Sequence, residues 1–190
     1  MNHSSNRTYL LFGVICLINL GLAGLFGFGS PMTAYVDGPD SPLYTLLTTH
    51  FTHHSEQHLA SNLLALWLLL ILFPTKTYTI VCSFVTCVVL VSLYVLISKT
   101  HMFLGFSAFL YCLPGCYLSF SIANKNHSLS VAILTILFAY LFMIVPMTTD
   151  DASSWKPMTH AHLLGFMAGV ITAHLSLALK NHPHRYIEYD

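Results

Sequence analysis

Charge is what this sequence has least of. Of its 190 residues seven are Lys or Arg and seven are Asp or Glu, 7% in all, where a soluble globular chain carries about 25%. The two signs balance, so no basic surface exists to attract nucleic acid and no acidic run suggests a solvated arm. Nucleic-acid binding is thereby set aside. Cysteine is also sparse: Cys16, Cys82, Cys87, Cys112 and Cys116 are odd in number and sit in apolar runs, which excludes the disulfide framework of small secreted domains. None has a CxxC spacing, and Cys112 and Cys116, four residues apart, read as packing residues on one helix face. Repeats and low-complexity stretches are absent, so the chain reads as one domain over residues 1–190.

What is abundant is apolar surface. Hydrophobic residues make up 55% of the chain and the mean hydropathy is +0.69, the composition of an integral membrane protein. Runs long enough to cross a bilayer, for which about 17–25 residues are needed, fall near 9–29, 57–73, 77–98, 102–122, 128–146 and 159–179. The first is about 20 residues long, longer than the roughly 7–15 of a cleavable signal core, so it reads as a retained span. The expected fold class is all-α, a polytopic bundle of six transmembrane helices. Basic residues in short loops favour the cytoplasm. With the N-terminus inside, Arg7, Lys76, Lys125, Lys180 and Arg185 are cytoplasmic and only Lys99 and Lys156 lie outside. That asymmetry sets the expected orientation, with both termini inside.

Against this background the stretch His50 to Leu66, "HFTHHSEQHLASNLLAL", is anomalous, because polar groups in a membrane are costly and usually line a site. In the expected topology spans two, four and six all start at the outer face, so their first turns share one depth. Span two brings His58 and Asn62, four apart on one face; span four brings Ser107; span six brings His162. A serine hydroxyl needs a base to become a nucleophile, which makes Ser107 and His162 the candidate catalytic pair. His58, Asn62 and the Ser107 backbone N–H are candidate donors to an oxyanion. Below His162, Gly165 and Gly169 form a smooth stripe that lets another helix approach. Span four, with Gly105 before the serine and Gly115 two turns below it, is the expected partner.

Three motifs in one order, "HLASN" in span two, "GFSAFLYCLPG" in span four and "AHLLGFMAG" in span six, resemble those of the rhomboid family of intramembrane serine proteases. With their spans they cover about His50 to Leu179. The resemblance implies a Ser–His dyad at Ser107 and His162 with no third acidic member and no cofactor. It implies an oxyanion site at His58, Asn62 and the Ser107 amide, and a tyrosine, Tyr111, packed on the catalytic histidine. It also implies partners: single-span membrane protein substrates, cut in the lipid bilayer near its outer face. The compact chain looks like small bacterial rhomboids of the inner membrane, with a similarity to the rhombosortase branch. Departures are Ala108, where many active members have glycine; Pro114, which predicts a kink below the site; and no Trp-Arg pair between spans one and two.

Two other readings stand beside this one. His50, His54 and His58 share a face if their stretch is helical, and with His160 or His162 they form a candidate zinc site for a membrane hydrolase. An inactive rhomboid-like protein that binds membrane clients is the other. Within the protease reading, His50, His53 and His54 are expected to be solvated at the cavity mouth, with the loop from Met147 to Met158 and its Trp155 as a lid.

Overall fold

A computed structural model of the chain describes residues 3–28, 35–36, 42–73, 76–98, 102–103, 105–124 and 159–180. In chain order these form α1 (His3–Phe26), β1 (Tyr35–Val36), α2 (Thr45–Thr48) continued by a 3₁₀ turn (Thr49–Phe51), α3 (Glu56–Leu72), α4 (Thr77–Ser98), β2 (Met102–Phe103), α5 (Ser107–Leu110), α6 (Cys112–Asn124) and α7 (Thr159–Lys180). The fifth expected span, the Met147–Met158 lid and Lys99, Lys125, Lys156 and Arg185 lie outside the described residues.

Among the described residues the fold is almost all helical, with one short two-stranded pairing. Among the described residues three helices are long and apolar enough to cross a membrane: Thr8–Phe26, Thr77–Ser98 and His160–Leu179. A fourth crossing arises if Thr45–Phe51 and Glu56–Leu72, bent by 80° where they meet, are taken together. Their outward faces carry large apolar side chains such as Leu10, Leu17, Leu25 and Leu64. Such a surface suits lipid, where a soluble protein would bury it.

Most expected boundaries agree with the helices to within a few residues. Three do not: α1 begins at His3, six residues before the expected start, and two others differ for a backbone reason. The first helix stops at Phe26 because Gly27 takes φ 78°, a left-handed conformation that ends helices. Span four does not begin at 102. Residues 102–103 pair antiparallel with β1 in the register Tyr35 to Phe103 and Val36 to Met102, and Gly105 at φ 125° cannot belong to a right-handed helix. The helix starts at Ser107 instead. It is interrupted at Tyr111, which keeps helical angles of φ −72° and ψ −17°. Pro114 accounts for the interruption, since its missing N–H leaves the Leu110 carbonyl without its usual partner.

At the centre stands α7, packed on α6, α4 and α5. Its contact with α5 and α6 is backbone on backbone. Gly165 lies against the carbonyl of Ala108, Gly169 against that of Cys112, and Gly115 of α6 returns the contact against that of Phe166. A methyl group at any of the three would overlap a carbonyl oxygen. The third helix of this seam is α4, whose buried stripe Ile80, Ser83, Cys87, Val91 and Val95 recurs at helical spacing. Its Ser83 Oγ is 3.0 Å from Cys116 Sγ, and Cys116 donates to the Gly169 carbonyl at 3.1 Å. The five cysteines are free thiols.

Gly169→Val is expected to unfold the α6–α7 seam, at a cost above the roughly 1–3 kcal/mol of ordinary overpacking, because rigid backbone opposes the new atoms. Gly13→Ala, in a position with nothing within 4 Å of the added carbon, is expected to be neutral or up to about 1 kcal/mol stabilising. Thermal unfolding in detergent micelles distinguishes the two; equal midpoints would contradict the seam as described.

Candidate active site

The seam places the first turn of α5 beside the first turn of α7. Ser107 opens α5 and His162 lies four positions into α7, and their side chains meet with Ser107 Oγ 2.9 Å from His162 Nε2. That is hydrogen-bond length for a hydroxyl donating to an imidazole nitrogen. The Tyr111 ring stacks on the imidazole at 4.5 Å between centroids and 21° between planes, which fixes the plane of the His162 ring. As the first residue of a helix, Ser107 has an N–H with no carbonyl one turn earlier in that helix to receive it.

A third element closes the space in front of the serine. Ser55, extended at φ −153° and ψ 162°, caps α3 by accepting the N–H of His58, at 3.2 Å. The cap and Glu56 in the first turn suit the positive end of the helix. Starting the helix at Glu56 puts Asn62 on the buried face with Leu59, Leu66 and Leu69. It also sends the half-buried His58 ring toward Gly105. A carbon attached to Gly105 would lie 3.1 Å from His58 Cε1, 3.6 Å from His58 Nε2 and 3.7 Å from Ser107 Oγ. Gly105 therefore leaves open a small space that these groups face, and its N–H is held by the Thr49 carbonyl at 3.0 Å.

Asn62 reaches a residue that the sequence did not single out for the site. Its Nδ2 is 2.9 Å from His53 Nε2, while His53 Nδ1 is 3.2 Å from the Phe51 carbonyl oxygen. A carbonyl can only accept, so Nδ1 carries the ring proton and Nε2 accepts from Asn62. The expectation that His50, His53 and His54 are solvated at a mouth is corrected: His50 is 1% and His53 3% exposed, and only His54 of the three is exposed. The short helix and 3₁₀ turn fold both rings inward, where α4 aromatics such as Phe84 meet His50. The sequence signal that was available is Ser55-Glu56, a helix start that puts His53 in a non-helical link.

The same link removes the basis of the zinc reading. Residues 52–55 are not helical, so His50, His54 and His58 share no helix face. Among the described residues no group of three or more His, Cys, Asp or Glu side chains is arranged to hold a metal ion. His54 and His53 instead pack ring against ring on His58, at 4.6 and 4.9 Å between centroids. His160 stacks on Tyr94 of α4.

Fold and site together define a polytopic helical membrane protein with a serine hydroxyl bonded to a histidine inside the bundle. The Rhomboid domain model matches residues 40–178, and the chain belongs to the rhomboid family. Among curated proteins no match is found.

One outcome follows. Gly105→Ala forces a side chain into a strained backbone conformation and against His58; an expected cost of about 1–3 kcal/mol is read from thermal unfolding, and an unchanged midpoint would contradict the Gly105 conformation.

Proposed function

We propose that this chain is an intramembrane serine protease that cleaves membrane-anchored proteins near the outer face of the membrane. The observation that carries the reading is the 2.9 Å contact between Ser107 Oγ and His162 Nε2 within a rhomboid-family bundle. In the first step Ser107 attacks the scissile carbonyl as its proton passes to His162 Nε2. The tetrahedral oxyanion is held by the Ser107 N–H with His58 and Asn62. His162 then gives the proton to the leaving amine, and the acyl-enzyme remains on Ser107 Oγ. Water attacks it with His162 as base, and the serine is regenerated. Ala108 is compatible with this chemistry, because its small side chain is buried while its carbonyl accepts the contact of Gly165.

The substrates that fit are single-span proteins whose chain unwinds at the outer end of the span, delivered from the lipid bilayer. Six spans, an inner bacterial membrane and cytoplasmic termini complete the proposal; the excess of basic residues in the loops assigned to the inside supports that orientation.

The test is labelling of detergent-purified protein with a fluorophosphonate serine probe. Wild type is expected to label, and Ser107→Ala and His162→Ala to lose labelling completely while keeping the wild-type unfolding midpoint within about 1 kcal/mol. An unlabelled wild type, under conditions that label an active rhomboid, would reject hydrolysis and leave a client-binding member of the family.

A further inference from the structure

His53 is buried and bonded at both ring nitrogens, yet it touches neither Ser107 nor His162 among the contacts the structure shows. We propose that His53 is a positioning residue: it holds the Asn62 side-chain amide with its NH₂ group turned toward the oxyanion wall and its oxygen turned away. The inference rests on the proteolytic reading above for its consequence, and on geometry for its substance.

Tautomer and handedness set the orientation of this amide. An asparagine amide presents two donors at nitrogen and an acceptor at oxygen, and rotation by half a turn exchanges them. A flipped Asn62 would present oxygen where an oxyanion needs a donor, and like partial charges would repel. Something must therefore select one of the two orientations. His53 can do so only if its Nε2 is an acceptor, and the Phe51 carbonyl 3.2 Å from Nδ1 makes it one by claiming the ring proton. The 2.9 Å bond from Asn62 Nδ2 then uses one of the two N–H groups on that nitrogen, and in the proposal the second is the oxyanion donor. The chain Phe51 carbonyl, His53, Asn62 is thus a directional relay of orientation from the 3₁₀ turn into α3. Burial of both side chains, 3% exposed for His53 and 6% for Asn62, keeps water from substituting for the acceptor.

Two isosteres separate this role from a structural one. His53→Gln keeps an acceptor at the position of Nε2 and lacks the bond to Phe51; His53→Asn keeps a donor near Nδ1 and has nothing facing Asn62. The rate of phosphonylation of Ser107 by a fluorophosphonate is measured for each, with Asn62→Ala and the Asn62→Ala/His53→Asn double variant. The expected order is His53→Gln close to wild type, and His53→Asn slower by about ten- to a hundredfold, the scale of a misplaced group near a reacting centre. The double variant should be no slower than Asn62→Ala alone, because His53 acts only through that amide. In parallel, side-chain amide NMR of ¹⁵N-labelled protein should show one Asn62 proton shifted in wild type and His53→Gln and released in His53→Asn. Retention of rate in His53→Asn with loss in His53→Gln would overturn the proposal in favour of a structural bond to Phe51, and so would independent, multiplicative losses in the double variant. An unlabelled wild type would reject the proteolytic reading instead; the amide signal then decides by itself, and its indifference to His53→Asn would overturn the orientation.

Discussion

Close approach of two helix backbones is the constraint on which everything else here depends. Where Gly165 and Gly169 of α7 rest on the carbonyls of Ala108 and Cys112, and Gly115 of α6 rests on that of Phe166, no side chain separates the helices. Ser107 and His162 are short reaches from their respective backbones, so only at such a distance does a hydroxyl meet an imidazole without water between them. In lipid there is no hydrophobic drive to bring helices together, and contact between small residues supplies the association that burial supplies in water. The Cys116 thiol, shared between Ser83 and the Gly169 carbonyl, adds α4 to the same seam. The contact between Ser107 and His162 and the packing motif are here one arrangement.

The second helix wall is built differently. Polar groups placed inside a membrane domain are costly unless each finds a partner, and the segment before α3 meets that demand by leaving the helix. Ser55 takes the His58 N–H, His53 takes the Asn62 amide, and Phe51 takes the His53 ring proton. Because residues 52–55 are not helical, His50, His54 and His58 do not line one helix face. The arrangement orients groups; it does not assemble a ligand set among the described residues.

Between these two walls the chain must turn sharply into α5, and Gly105 makes that possible. Its left-handed conformation lies two residues before the helix that Ser107 opens, and its missing side chain leaves room for the His58 ring. One residue without a side chain thus decides both the backbone path and the room available in front of Ser107.

How much of this could be read from the residues alone follows from the range of each cause. Local causes were legible: apolar runs of spanning length gave α3, α4 and α7 nearly to their ends and α1 in its body, the i, i+3, i+7 spacing of His162, Gly165 and Gly169 announced a smooth helix face, and the motifs singled out Ser107 and His162, which meet. The late start of α5 was not legible, since whether glycine adopts a positive φ depends on what the chain meets, here the Thr49 carbonyl that accepts the Gly105 N–H. The partner of Asn62 was not legible either: His53 lies nine residues away across a non-helical link, where no periodicity connects the two. Sequence by itself determined which residues are apolar, which are small and which can carry a proton; tertiary structure alone decided which of those meet, because a 2.9 Å contact between residues 55 positions apart is fixed by how helices pack and by nothing local to either one.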